Sequence, residues 1–149
     1  MDVSKLKKAL KEIDKFISNL ELNSQSQIQD LLKKFLKTHL IRSKIDNYIG
    51  DYPTFIEPVY LEDNVKIGDD VLLGPSVYIG KNVEIDNYVE ISNSIVFDNA
   101  IIGENIKLDN CIIGKNSLLS CKDIPIDNCV VVGNAKTKEE LYKIMYKFK

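Results

Sequence analysis

The chain has 149 residues, 44% of them hydrophobic and 28% charged, which is the length and composition of one ordinary globular domain. It has no run of about 18 apolar residues and no apolar h-region behind its lysine-rich start, which excludes a membrane span and argues against a secretory signal. Three cysteines are an odd number, which argues against a disulfide framework. We therefore expect a cytoplasmic protein.

Charge is distributed unevenly along the chain. Residues 1–48 carry ten lysines and arginines against six acidic residues, whereas residues 49–136 carry six lysines, fourteen acidic residues and no arginine. An acidic segment without arginine is a poor match for nucleic acid and a weak one for phosphate-rich cofactors. We therefore expect no nucleic-acid partner.

The N-terminal segment, 1–48, has the pattern of two amphipathic helices. The first has a heptad seam with steps of three and four residues, formed by Val3, Leu6, Leu10, Ile13, Ile17 and Leu20. Ser24 with Gln27, or Ser26 with Gln29, predicts a capping box for the second helix. Its apolar face is formed by Ile28, Leu31, Leu32, Phe35, Leu36 and Leu40, and it ends near Ser43.

Two interpretations of this segment remain open. The helices either form a hairpin packed on the rest of the domain, or the first helix forms a coiled coil that assembles several chains. His39, the one histidine of the chain, lies on the second helix, where we expect a packed or partly exposed side chain and not a catalytic base.

A six-residue repeat fills residues 49–136. Aliphatic or aromatic residues recur six apart at Ile49, Phe55, Leu61, Ile67, Leu73, Ile79, Ile85, Ile91 and Phe97. A helix repeats every 3.6 residues and a strand every two, so neither explains this period, and stacked repeats do. If each hexad is one short strand with a turn, three hexads make one triangular coil, and five coils stack at about 4.8 Å per layer.

This rule arranges the apolar residues in three columns. The first holds Ile49, Ile67, Ile85, Ile102 and Leu119. The second holds Phe55, Leu73, Ile91, Leu108 and Ile126. The third holds Leu61, Ile79, Phe97, Ile113 and Val132. Two five-residue steps, after Phe97 and after Leu108, keep the later columns aligned.

Asparagines cluster where the turns are expected, and they tolerate left-handed backbone. Asn93, Asn110 and Asn128 share a column, in which stacked amides can pair along the coil. Cys111 and Cys129 are also vertical neighbours, and we expect reduced, packed side chains there. Cys121 lies in an irregular turn where we expect exposure.

The C-terminal segment, 137–149, predicts one capping helix. Thr137 and Glu140 form a capping box, and Leu141, Ile144, Met145 and Phe148 give the helix an apolar face. A cap of this kind covers the last coil, which otherwise exposes an unpaired strand edge.

Segments such as IGDDVLLGPSVYIGKNVEID resemble the hexapeptide repeat of left-handed parallel β-helix proteins. The later part, ISNSIVFDNAIIGENIKLDNCIIGKNS, is similar to the C-terminal β-helix of sugar-1-phosphate nucleotidylyltransferases. The resemblance covers about 49–136 and implies that the coil is left-handed. The sequence thus predicts a left-handed parallel β-helix of about five coils, with two N-terminal helices and a C-terminal helix. Such domains commonly form homotrimers or assemble enzymes, and some of them are acetyltransferases.

The chain departs from these families at their catalytic motifs. It has no GGxGTR-type nucleotide-binding segment, and residues 1–48 are too short and too helical to replace the nucleotidyl-transfer domain. No histidine lies between 49 and 136 to act as the base of an acyltransferase, and one histidine cannot form a three-histidine zinc site. The catalytic residues are therefore unassigned, and we expect no metal site.

Analogy with these folds places candidate ligand-binding residues in a groove between neighbouring chains and near the irregular turn. They are Tyr78, Asn87, Tyr88, Ser120 and Lys122. The acidic turn residues, among them Asp69, Asp70 and Asp86, more simply form a solvated face or contact the basic helices.

The sequence thus predicts a non-catalytic assembly or ligand-binding module that forms a homotrimer, with a separate nucleotidyltransferase subunit as a candidate partner. The alternative is an acyltransferase for a nucleotide sugar, with a base other than histidine and with acetyl-CoA as its cofactor. No cofactor is otherwise implied.

Overall fold

The computed structural model describes residues 2–20 and 25–148. Two helices come first, α1 (Val3–Ile17) and α2 (Gln25–Lys34), and α2 runs on into a π-helical turn, Phe35–His39. A parallel β-helix of five turns follows and ends in α3 (Lys138–Ile144). Within the described ranges, none of the helices is long and apolar enough to cross a membrane.

The β-helix has three faces of short parallel strands. The first face contains β1 (Ile49–Gly50), β4 (Lys66–Ile67), β7 (Glu84–Ile85), β10 (Ile101–Ile102), β12 (Leu118–Leu119) and β14 (Asn134–Ala135). The second contains β2 (Thr54–Phe55), β5 (Leu72–Leu73), β8 (Glu90–Ser92) and the first halves of β11 (Lys107–Ile113) and β13 (Pro125–Val131). The third contains β3 (Val59–Leu61), β6 (Val77–Ile79), β9 (Ser94–Val96) and the second halves of β11 and β13.

The second predicted column is confirmed along its whole length, because each of its members pairs with the next. The first column is confirmed except at its start. Gly50, not Ile49, pairs with Ile67, and Ile49 points outward with 55% of its surface exposed. Each aliphatic residue that is fully buried in such a column contributes about 1.5–3 kcal/mol relative to an exposed one.

The third predicted column is wrong at two positions. Val96, not Phe97, pairs with Ile79, and Val131, not Val132, pairs with Ile113. The reason is that the corner between the second and third faces loses one residue from the third turn onward. Phe97 is still buried, but it lies outside the β-helix and belongs to the cluster formed with the helices.

The third face is buried on both sides. Its outward column consists of Tyr60, Tyr78, Ile95, Ile112 and Val130, which are in register from turn to turn. The α1 seam, Leu6, Leu10, Ile13 and Ile17, packs in the same cluster, together with Ile28, Leu32 and Phe35. This confirms the packed hairpin. Because the seam is used within the chain, it is not free to form a coiled coil between chains.

The ends of the helices differ in part from the sequence prediction. The helix α2 begins at Gln25, so the capping box of Ser26 with Gln29 is wrong, and Ser24 lies outside the described residues. His39 is half-buried beside the Phe35 ring, as expected.

The C-terminal cap is confirmed at its start and corrected at its end. Thr137 caps α3 by accepting a hydrogen bond from the Glu140 backbone N–H at 3.2 Å, and Leu141 is buried against the end of the core. The helix stops at Ile144. Met145 begins a strand, β15 (Met145–Lys147), which pairs antiparallel with β13 and covers its edge.

Asparagines occupy the corner between the third and first faces in all turns except the last, where Gly133 has the positive φ. Asn47, Asn64, Asn82, Asn99 and Asn116 all have positive φ there. Each amide nitrogen from Asn64 to Asn99 donates to the side-chain oxygen of the next asparagine, over 2.9 Å, 3.1 Å and 3.1 Å. The expected amide pairing in the other column is confirmed between Asn110 and Asn128, at 2.7 Å, whereas Asn93 bonds to Asp109.

We predict that Asn82→Ala lowers the free energy of unfolding by about 2 kcal/mol. The substitution removes two hydrogen bonds between asparagine side chains. It also places alanine at a φ of 61°, where left-handed backbone costs a residue with a side chain about 1–2 kcal/mol. Asn82→Gly loses the same bonds without the strain, so urea titration of both variants should give a loss about 1 kcal/mol smaller for glycine. Equal losses would show that the left-handed backbone is not the reason for asparagine.

Candidate functional site

A cleft of ≈ 200 Å³ lies where α1 meets the third face of the β-helix. Four lysines line it, Lys7, Lys11, Lys81 and Lys115, together with the carboxylates Asp14, Glu62 and Asp98. Leu10, Phe97 and Tyr78 form the rest of the lining. We call this region the helix cleft.

The heptad pattern of α1 explains how the helix contributes to the helix cleft. Leu6 and Leu10 are buried on the β-helix, so Lys7, Lys11 and Asp14, which follow at helical spacing, come to lie along the rim. The opposite wall is built by stacking. Lys81, Asp98 and Lys115 are seventeen residues apart and therefore lie above one another on successive turns, directly after strands of the third face.

A buried carboxylate lies at the inner end of the helix cleft. Glu62 is 5% exposed, and its Oε2 accepts hydrogen bonds from Lys7 Nζ and, at 2.6 Å, from the Tyr78 hydroxyl. Burial pushes the pKa of Glu62 upward, but these two hydrogen bonds and the charges of Lys7 and Lys44 outweigh it, so the pKa lies below its ordinary value. Glu62 is therefore an ionised, paired group and a poor general base.

Tyr78 is fixed by contacts of both its ring and its hydroxyl. Its ring stacks on Tyr60, with centroids 5.7 Å apart, and meets the edge of Phe35 at 6.1 Å. Burial, and then the hydrogen bond and charge of Glu62, raise the pKa of Tyr78 far above its ordinary value, so its hydroxyl stays protonated. The structure thus places this candidate ligand residue under the helices and not on an open groove.

The other candidate residues lie at the corner between the first and second faces. Tyr88 is 52% exposed at a φ of 62° and borders a shallow, acidic depression with Asp70, Glu90, Glu104 and Asp123. We call this region the acidic corner. Its carboxylates are partly neutralised at the rim, where Lys107 Nζ lies 3.6 Å from Glu90.

Asn87, Ser120 and Lys122 also lie at or beside the acidic corner. Asn87 Oδ1 accepts from the Asp69 N–H at 2.8 Å, which holds two successive turns together, and Lys122 Nζ lies 3.7 Å from Glu104. Ser120 donates to the Ala135 carbonyl at 3.4 Å. The structure therefore brings four of the five candidates together and separates Tyr78 from them, and their role in ligand binding stays a prediction.

Among the described residues, no group of three or more His, Cys, Asp or Glu side chains is arranged to hold a metal ion. The cysteines are free thiols, and all three are buried. Cys111 and Cys129 are vertical neighbours as predicted, with sulfurs 4.0 Å apart, and their hydrogen bond, with burial, raises the pKa of Cys111. Cys121 is buried, not exposed, and burial raises its pKa, which disfavours the reactive thiolate.

Sequence reasoning missed Glu62 and Lys7, which are 55 residues apart in the chain. One signal in the sequence could have revealed that the third face is covered. Tyr60 and Tyr78 are one coil apart at outward positions, and an outward column that is apolar in every turn indicates a covered face.

We predict that Tyr78→Phe costs about 1.5–3 kcal/mol of unfolding free energy, because it removes a hydrogen bond to a buried charge. Tyr60→Phe is the matched control. The Tyr60 hydroxyl makes no hydrogen bond with a described residue, so chemical denaturation should show a change of no more than about 0.5 kcal/mol. Equal effects in the two variants would contradict a role for the Glu62 hydrogen bond.

We also predict an acid-dependent contribution of Glu62. Its pKa is lowered in the folded state, so its stabilisation is complete above the ordinary value of 4.5 and is lost as the pH falls through the folded-state pKa. The stability difference between the wild type and Glu62→Gln should therefore be constant near neutrality and shrink below about pH 4.5. Urea titrations along a pH series measure it, and a difference that grows in acid would contradict the assignment.

Comparison with known proteins agrees with this architecture. The family model of the GMPPB C-terminal domain matches residues 55–144, from the second strand of the β-helix to the end of α3. No curated protein and no solved structure matches the chain. The family match covers more than half of the chain and, within it, the repeats that build the β-helix. The chain belongs to the GMPPB C-terminal domain family and is a sugar nucleotidylyltransferase-like C-terminal module.

Proposed function

We propose that this chain is a non-catalytic assembly module that forms a homotrimer through the first face of its β-helix. The observation that carries the proposal is the difference between the faces: helices cover the third, whereas the first presents aliphatic side chains without a cover from the described residues. The family to which the chain belongs supports an assembly role, and a homotrimer is what the sequence resemblance implies.

The outward column of the first face is half apolar. It consists of Ile49, Lys66, Glu84, Ile101, Leu118 and Asn134, in register from turn to turn. Ile101 and Leu118 are adjacent and half-buried, and a shallow groove of ≈ 380 Å³ runs from Ile101 to Ile49. Aliphatic residues repeated along one face are typical of a protein–protein interface.

A catalytic site formed by the residues of a single chain has less support. In the helix cleft, Glu62 and Asp14 are paired with Lys7 and Lys115, and most carboxylates of the acidic corner are exposed to water. We infer that the module supports the assembly of chains, among which a separate nucleotidyltransferase subunit is a candidate. The three free thiols favour a reducing compartment, and we propose the cytoplasm.

We predict a solution mass of three times that of one chain, measured by light scattering behind size-exclusion chromatography. Leu118→Glu places a charge on the apolar part of the first face and should shift the protein to monomers at the same concentration. Lys8→Glu, on the exposed side of α1, changes the charge in the same sense and should leave the trimer intact. A monomeric wild type, or a trimer that survives Leu118→Glu, would contradict the proposed interface.

A second experiment tests whether the module is catalytic. Titration calorimetry with acetyl-CoA, beside a UDP-sugar, should give no saturable heat. Saturable binding of acetyl-CoA at about one site per chain would instead support the acyltransferase alternative. In that case Tyr88→Ala and Lys122→Ala, at the acidic corner, would be the first variants to test for loss of binding.

A further inference from the structure

The helix cleft differs from the rest of the β-helix in its charge. The segment 49–136 has fourteen acidic residues against six lysines, yet four ammonium groups face three carboxylates here. Two of the lysines come from α1 and two from the corner of the β-helix, one from each of two turns. Composition along the chain does not show this convergence, because it depends on α1 packing beside the third face.

Two of the four lysines in the helix cleft form ion pairs, and the other two do not. Lys7 is paired with Glu62, and Lys115 Nζ lies 3.2 Å from Asp14. Neither Lys11 nor Lys81 forms an ion pair with a described residue. The third carboxylate, Asp98, accepts a hydrogen bond from the Lys81 backbone N–H at 2.9 Å, so its position is fixed by the turn.

The two lysines without an ion pair line the helix cleft from different elements, Lys11 from α1 and Lys81 from the β-helix, and both are exposed. Lysine is a common point-charge ligand for phosphate. A phosphate monoester carries between one and two negative charges at neutral pH, and the four lysines and three carboxylates give the helix cleft a net charge of +1, which attracts it. Leu10 and Phe97 supply an apolar wall for a short carbon skeleton.

The helix cleft has a volume of ≈ 200 Å³ and is open to solvent, so it can accommodate a phosphate group and a short carbon skeleton. We propose that the helix cleft binds a small phosphorylated metabolite, with Lys11 and Lys81 holding its phosphate group from opposite walls. This site lies at the rim of the covered third face and is separate from the first face, so it is independent of the proposed trimer interface.

Titration calorimetry with inorganic pyrophosphate at low ionic strength tests the site. The wild type should bind saturably at about one site per chain. Lys11→Gln and Lys81→Gln should each raise the Kd about tenfold or more, as expected for the loss of one charged contact of about 1.4 kcal/mol. Lys8→Gln on α1 and Lys33→Gln on α2, both exposed and outside the helix cleft, are matched controls and should change the Kd less than about twofold. Absence of saturable binding, or equal weakening by all four substitutions, would overturn the proposal, because the latter indicates only general charge attraction.

A measurement on the wild-type chain removes any dependence on the folding of the variants. Lysines are acetylated with a limiting amount of a small acylating reagent, with and without pyrophosphate, and quantified by mass spectrometry. The proposal expects pyrophosphate to slow the modification of Lys11 and Lys81 and to leave the modification rates of Lys8 and Lys33 unchanged. Uniform rates at all four lysines would contradict it.

Discussion

Backbone hydrogen bonds between successive turns are the interaction on which the rest of this structure depends. Most strands have only two or three residues, and none of these is stable alone. They persist because each turn bonds to the next in parallel register, as from the Ile49 N–H to the Val65 carbonyl and from the Lys66 N–H to the Val83 carbonyl, both near 3 Å. Stacking then buries one continuous aliphatic core that no single turn encloses.

The same register also organises the outer surface. Each outward position recurs about one turn later, so side chains outside the core form columns as well. The asparagine corner and the Tyr60–Tyr78 stack both arise in this way. One of these columns is apolar in every turn, and the N-terminal helices cover it. This single packing event decides which faces stay open and creates the helix cleft.

Much of the fold could be predicted because a six-residue period has few physical explanations, and the second column was correct throughout. The errors at Phe97 and Val132 have a common cause. The third face is apolar on both sides in its later turns, so neighbouring residues such as Val96 and Phe97 are both hydrophobic, and alternation no longer distinguishes inside from outside. The prediction placed Ile49 in the first column because the residue that actually pairs with Ile67 is Gly50, which has no side chain to mark an inward position.

The helix cleft was beyond sequence reasoning for a different reason. Its charged groups come from α1 and from corners of several turns, and only tertiary packing brings Lys7 to Glu62. The candidates at the acidic corner came from analogy with related folds, and stacking of the turns brings four of them to one corner, whereas the docking of a helix on one of three faces cannot be read from residue spacing.

Zero-length carbodiimide crosslinking tests the central claim, that α1 packs on the third face of its own chain. Chains labelled with light and heavy nitrogen are unfolded together, refolded as an equal mixture and crosslinked, and the linked peptides are identified by mass spectrometry. The account predicts links between Lys115 and Asp14, and between Lys7 and Glu62, with both peptides carrying the same isotope. Mixed-isotope links at these pairs would show that the helices cover a neighbouring chain, and would contradict both the covered face and the choice of interface built on it.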